Sequence, residues 1–166
     1  MQDSESPEMN ERPAKRIETQ KIYIKDISYE APGTPQIFTE KWEPQVSQDM
    51  RNSHNQLSDV VYEASLIVTI TVKIGDKVAY LIEVNQAGIF NLIGYNEEEI
   101  EGILAIFCPT TLFPYVREAI TDLSSRGGFP ALVLQHVSFA DMYHEYVRSK
   151  KEAQGEGDDE GGSVTH

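Results

Sequence analysis

Cysteine is nearly missing from this 166-residue chain, which has one, Cys108. A single thiol closes no intramolecular disulfide, and that fits a reducing compartment. Positive charge is scarce too. Lys plus Arg total 14 against 27 Asp plus Glu, a formal net charge of −13. Such a surface repels phosphodiesters and anionic lipid headgroups, so nucleic acid is not an expected partner and basic segments are. No uninterrupted apolar run approaches the roughly 20 residues of a membrane helix, so direct membrane insertion is not expected. The opening residues, MQDSESPEMN, are polar and lack the apolar stretch of a secretory signal. These features point to the cytoplasm.

Catalytic signatures are absent as well. There is no G-x-S-x-G elbow, no glycine-rich phosphate loop and no H-E-x-x-H pair. His54, His136, His144 and His166 lack metal-ligand spacing. Cys108 precedes Pro109 on a helical face and reads as a packing residue. Glu83, on a strand, has no evident acid–base partner. Neither an enzyme, a metal site nor a cofactor is expected.

What the chain does have is core material, 40% hydrophobic residues, enough for one domain. Residues 1–18 read as a disordered acidic tail, 19–151 as the ordered domain, and the Gly-rich acidic 152–166 as a second disordered tail. KIYIKDISYE alternates, with Tyr23, Ile27 and Tyr29 on one face and Ile24, Asp26 and Glu30 on the other. APGTPQIFTEKWEP is a proline-rich loop carrying Phe38 and Trp42. QVSQDM alternates weakly and reads as a short strand.

Residues 60–74 form the strongest strand, with Tyr62, Ala64, Leu66, Val68, Ile70, Val72 and Ile74 on one face. Residues 78–90 follow, with Val78, Tyr80, Ile82 and Val84 together. A three-residue GDK loop, pairing Ile74 with Val78, aligns the two apolar faces; a two-residue loop puts them out of phase.

The period then becomes helical. Asn96 is the expected N-cap, Glu97–Glu99 complement the helix dipole, and Tyr95 and Ile100 form a staple. Ile100, Ile103, Leu104 and Phe107 share a face until Pro109 interrupts. Thr111 is the expected new cap, with Leu112, Val116, Ala119, Ile120 and Leu123 inward and a stop at Gly127 or Gly128. A last helix starts after Ser138 and carries Phe139, Met142, Tyr143, Tyr146 and Val147 as a stripe. Strands followed by helices make an α+β fold with an antiparallel sheet.

Two surfaces have two readings each. The apolar loop residues Trp42, Phe38, Phe129, Leu132 and Leu134 either fold back to cap the core or, with Tyr143, line a binding groove. Asp26, Glu30 and Glu83 mark a solvated strand face or an acidic patch for a basic partner.

The segments IYIKDISYEAPGTPQIF, W-E-P, YLIEVNQAGIF, CPTTLFPYVREAITDLSSRGGFPAL and VSFADMY, collinear over about residues 20–147, resemble the SecB protein-export chaperones. The resemblance implies a four-stranded antiparallel sheet, Greek-key-like, with a long kinked helix and a C-terminal helix. It implies an ATP-independent chaperone that holds unfolded precursor proteins and delivers them to the SecA motor, built as a tetramer, a dimer of dimers. Client contacts then fall on Trp42, Val46, Phe129, Leu132 and Tyr143. SecA contacts fall on Asp26, Glu30, Leu81 and Glu83, and protomer contacts on Ile82, Val84 and Gln86. Tyr29 and Tyr143 stand where Phe or Leu is more usual. A SecB-like chaperone of a toxin–antitoxin pair, a small α+β enzyme and an acidic adaptor are the alternative readings.

Overall fold

The structure, a computed structural model, describes residues 12–157. The tails expected at 1–18 and 152–166 lie largely outside the described residues, but their inner ends do not. The first strand, β1, already begins at Arg16 and runs to Glu30. The last helix continues through Gly157.

Four strands form one antiparallel sheet in the order β1-β4-β3-β2, with β2 spanning Gln45–Gln56, β3 Val61–Ile74 and β4 Lys77–Ile93. Three consecutive hairpin-linked strands with β1 returned beside β4 make a Greek key. A crossover containing a short 3-10 turn, Gln36–Thr39, joins β1 to β2. The helices lie on one face of the sheet; among the described residues no helix covers the other, the bare face.

The core sits under the helices. Leu66, Val68, Ile70 and Val72 of β3 and Tyr80, Ile82, Val84, Phe90 and Leu92 of β4 are all at most 2% exposed. Alternation put this β3 face together correctly because both neighbouring strands confirm its phase.

The β3–β4 turn differs from expectation. Ile74 pairs with Lys77 across a two-residue Gly75–Asp76 loop, with Gly75 at φ 59. The phase problem is solved by a bulge instead. Lys73 pairs with Val78, but Val72 pairs with Tyr80, so Ala79 is the extra residue. Beyond it Ile70 faces Ile82 and Val68 faces Val84, as a three-residue loop would have given.

A second bulge corrects the reading of β1. Ile24 pairs with Gln86 but Asp26 with Asn85, which makes Lys25 the extra residue. Strict alternation therefore fails across it. Tyr23 joins Asp26 and Glu30 on the bare face, while Ile24 joins Ile27 and Tyr29 on the helix side. Strand β2 is twice the expected length. Its residues are poor strand formers, and pairing along all of β3 overrides that.

The helical region is continuous. α1, Glu97–Gly102, opens on a full capping box: the Asn96 side chain accepts from the Glu99 N–H, and Glu99 accepts from the Asn96 N–H. A π-helical turn, Ile103–Phe107, leads directly into α2, Cys108–Arg126. Pro109 does not break the run, and Thr111 is not a cap. The wider turn relieves the proline ring of the preceding carbonyl, and threonines hold the loosened carbonyls. Thr110 Oγ1 donates to Ile106 O at 2.5 Å and Thr111 Oγ1 to Phe107 O at 2.9 Å.

The inserted residue rotates the helix, which turns Phe107 outward, 40% exposed, rather than onto the expected face. Leu112, Val116 and Ile120 pack fully inward, and Cys108 is buried among them, its thiol pushed to about 12 by burial. α3, Phe139–Gly157, starts with the Asp141 N–H donating to Ser138 Oγ at 3.3 Å.

Candidate functional site

The crossover loop and the loop after α2 meet over one end of the sheet. Phe129 is the junction. Its ring lies 5.0 Å from Phe38, 5.6 Å from Trp42 and 4.9 Å from Tyr80, centroid to centroid. The sequence places the two loops there by its glycines. Gly128 has φ 86, which ends α2 with a left-handed residue. Gly127 is needed for close approach, since a Cβ there would lie 2.0 Å from the Tyr29 hydroxyl. The outgoing loop is then tied back on α2: Thr121 Oγ1 donates to Leu132 O at 2.7 Å, and the Leu132 N–H donates to Ser124 Oγ at 2.9 Å.

The loop aromatics divide between buried and exposed positions. Phe129 is 7% exposed and joins the core, and Ile37 of the crossover is 3% exposed. Phe38 is 50% exposed, and Trp42 is half-buried against Phe129. The floor is Tyr80, whose phenol burial pushes up to about 12, with Tyr29 beside it adding to the rise. The Tyr29 phenol is raised by burial as well. Both hydroxyls stay neutral, so the patch is aromatic without formal charge.

Of the expected groove residues, Trp42 and Phe129 are in contact, Leu132 is half-buried in the tied-back loop, and Val46 is 48% exposed at the start of β2. Tyr143 is not part of this cluster. It lines a separate cleft of about 530 Å³ between α3, the π turn and the far end of β2, with Asn52, His54, Leu104, Phe139 and Met142. Asn52 lies six residues along β2 from Val46, about 20 Å away at strand rise. Phe38 was legible as a loop aromatic but not as the outermost one; only the 3-10 turn, which points Ile37 in, turns it out.

The four expected acidic-face residues do share a surface. Glu30 faces Leu81, Ser28 faces Glu83 and Asp26 faces Asn85 across β1 and β4, all on the bare side. Thr69 Oγ1 donates to Glu83 Oε2 at 3.2 Å and holds that carboxylate flat. Thr69 in turn faces Asp49 on β2, an acid that sequence reasoning missed because β2 had no assigned register.

A further acid on this face, Glu63, is already engaged. The Tyr23 hydroxyl donates to it, and Lys25 Nζ lies 2.9 Å away. The Tyr23 hydrogen bond, then that of Lys25, holds the Glu63 carboxyl below its ordinary value. Tyr23 rises to about 12, first from burial and then from Glu63. Bulging at Lys25 is what brings both groups over Glu63.

The expected protomer contacts are corrected outright. Ile82, Val84 and Gln86 are 1%, 0% and 3% exposed in the single chain, on the helix side of β4. A side chain with no accessible surface has none to lose to a partner, so these are core residues. Alternation identified their common face but not which face the helices cover.

A helix-backed Greek-key sheet, with aromatic loops at one end and acids on its bare side, defines an α+β protein of the antiparallel-sheet class. The chain belongs to the SecB family: the family model described as "Preprotein translocase subunit SecB" matches residues 10–150. It is 44% identical over 148 residues to the protein-export protein SecB of Methylococcus capsulatus, covering 89% of this chain and 96% of that one. To the protein-export protein SecB of Marinobacter nauticus it is 45% identical over 142 residues, 85% of this chain and 86% of that one. The solved structure of the Mycobacterium tuberculosis Rv1957 SecB-like chaperone, in complex with a ChAD peptide from the Rv1956 HigA1 antitoxin, shares the fold. Its TM-score is 0.62 at 17% identity, over 74% of this chain and 91% of that one.

Proposed function

We infer that the protein is a chaperone for protein export, and that it acts without nucleotide on unfolded precursors in the cytoplasm. The observation that carries this reading is the family match over residues 10–150, together with export proteins 44% and 45% identical over most of the chain. The toxin–antitoxin alternative rests on a fold shared at 17% identity and is not favoured. We read the chain as a binding protein rather than an enzyme.

The physics of holding a non-native chain fits the surfaces described. Apolar burial contributes about 25 cal/mol per Å², so exposed Phe38, half-buried Trp42 and exposed Val46 each supply a modest, sequence-tolerant contact. Several such patches on linked protomers add avidity. Exposed apolar side chains on the helix side support assembly into a tetramer: Ile24 at 50%, Ile27 at 40%, Phe107 at 40% and Tyr115 at 48%. The Glu97–Arg126 run is apolar and long enough by composition to cross a bilayer, and within it Cys108, Leu112, Val116 and Ile120 are fully buried in the fold. Asp26, Glu30, Leu81 and Glu83, with Asp49 beyond them, offer SecA an acidic face with one apolar contact.

The test is a refolding-delay assay with purified protein, several unrelated denatured clients and no ATP. Delay of all of them is the expected result. Clients that refold at their spontaneous rate at saturating chaperone would sink the reading.

A further inference from the structure

Glu63 holds a lysine that the acidic row would otherwise attract. Its two carboxylate oxygens are taken by different partners from β1. The Tyr23 hydroxyl donates to Oε2, and Lys25 Nζ donates to Oε1 at 2.9 Å. Both partners reach across β4, where Tyr23 faces Ala87, a residue with no exposed surface. The Glu63 side chain is 20% exposed, whereas the acid of each other ion pair among the described residues is at least 34% exposed. A shielded carboxylate with a second hydrogen bond holds a cation more firmly than an open one does.

Lys25 stands next to the row it would neutralise. As the extra residue of the β1 bulge it opposes Asn85 together with Asp26, so both lie on the bare side. Asp26 shares that side with Glu30, Leu81 and Glu83. Among the ion pairs of the described residues, none includes Asp26, Glu30 or Glu83. Asp49, the outlying acid, has its own cation in Arg51, at 3.7 Å. Lys21, also on this side, faces Ile89, four residues along β4 from Asn85 and about 13 Å away at strand rise.

We propose that Glu63 is a positioning residue for the acidic row: by drawing Lys25 away from Asp26 and Glu83, it keeps that row open to a basic partner. Without the Glu63 charge the ammonium turns to its neighbours and occupies the row from within. A lysine or arginine of SecA then has to displace it. The inference rests on the SecA reading of the acidic face and adds a residue outside the four expected contacts. A plain staple between β1 and β3 is the competing role of the same cluster. It would act through Tyr23 as much as through Lys25, and that difference separates the two.

The experiment uses the full chain, titration calorimetry with purified SecA at low salt, and NMR of the lysine side chains. Glu63→Gln keeps the side-chain size and an oxygen for the Tyr23 hydroxyl. It should weaken SecA about fivefold, the worth of one surface ion pair. Adding Lys25→Gln should restore the parent affinity, whereas adding Lys21→Gln, at the same net charge, should not. Tyr23→Phe leaves both charges and should change SecA binding little. In the parent, NMR contacts should join the Lys25 ε-methylene to the Tyr23 ring; in Glu63→Gln they should pass to the Asp26 and Glu83 side chains. Equal rescue by Lys21→Gln would overturn the proposal in favour of net charge. Weakening by Tyr23→Phe as large as that by Glu63→Gln would overturn it in favour of the staple. Lys25 still beside Tyr23 in Glu63→Gln would overturn it outright. If Lys25 moves as expected but SecA binds neither the parent nor any variant, the SecA reading fails and the hold of Glu63 on Lys25 stands.

Discussion

Phe129 and Phe38 touch, yet they belong to different accounts. Phe129 is packed into the core, so Phe129→Ala should cost about 3–5 kcal/mol in urea unfolding. Phe38→Ala, at a half-exposed position, should cost well under that and show its effect in client affinity. Equal losses of stability for the two would mean that the loop aromatics act as one cap.

Glycines separate in the same way. Gly127→Ala places a methyl against the Tyr29 phenol end and should destabilise, since the half-buried ring must move aside. Gly102→Ala meets nothing within 4 Å in a helical backbone and should stabilise by about 0.5–1 kcal/mol, read as a shift in the urea midpoint. Tyr23 and Glu63 give a pH signature. The phenol pKa is raised, so its stabilising share is whole below about 10 and is lost between about 10 and 12. The carboxyl value is lowered, so its share is whole above the ordinary carboxylate range and is lost as pH falls through the lower folded value. Glu63→Gln should lower the Tyr23 value in a phenolate absorbance titration. Burial, the larger cause, should keep it above 10.

At the level of elements, much was legible where two signals agreed. The β3 and β4 core rows, the Asn96 cap and the inward stripe of α2 follow from period and capping chemistry, and packing reinforced each. Misreadings cluster where one extra residue enters. The bulge at Lys25 reversed Tyr23 and Ile24, the bulge at Ala79 made the short loop possible, and the π turn swung Phe107 out. A bulge costs little and leaves no compositional mark, so alternation cannot detect it. β2 was shortened for a different reason: its polar residues show no preference, and its partner decided its length. For the binding surfaces, the acidic face was readable because Asp26, Glu30 and Glu83 stay on one side of the bulge. Tyr143 was misplaced because helix periodicity does not say which wall of the molecule a helix lies against.

For the whole molecule, burial changes which substitutions report assembly. Ile82→Asp places a charge in the core and should unfold the chain, seen as loss of the far-UV signal. Ile24→Asp with Ile27→Asp removes exposed apolar surface and should shift light scattering from the proposed tetramer toward smaller species with that signal intact. A tetramer unmoved by the double substitution would place the contacts elsewhere. The proposed binding of SecA should weaken with salt, as the Debye length falls from about 10 Å at 0.1 M to about 3 Å at 1 M, while client capture should weaken much less. Asp26→Lys with Glu83→Lys should abolish the first and spare the second; normal SecA binding by that variant would return these acids to a merely solvated face.

The hairpin joining β3 to β4 carries one residue of slack. Ala79 is surplus to the ladder, so removing it would let Lys73–Val78 and Val72–Tyr80 follow one another in regular succession, with every later pair unchanged. Deletion of Ala79 should therefore keep the acidic row in register, at the cost of the fully buried methyl that Ala79 gives the core. The tip, where a Cβ on Gly75 meets nothing within 4 Å, should accept a short Gly-Ser insertion. Chain length is thus free to drift at this corner, and a fluorophore or affinity tag threaded into it would ride on the molecule without its binding surfaces registering the change.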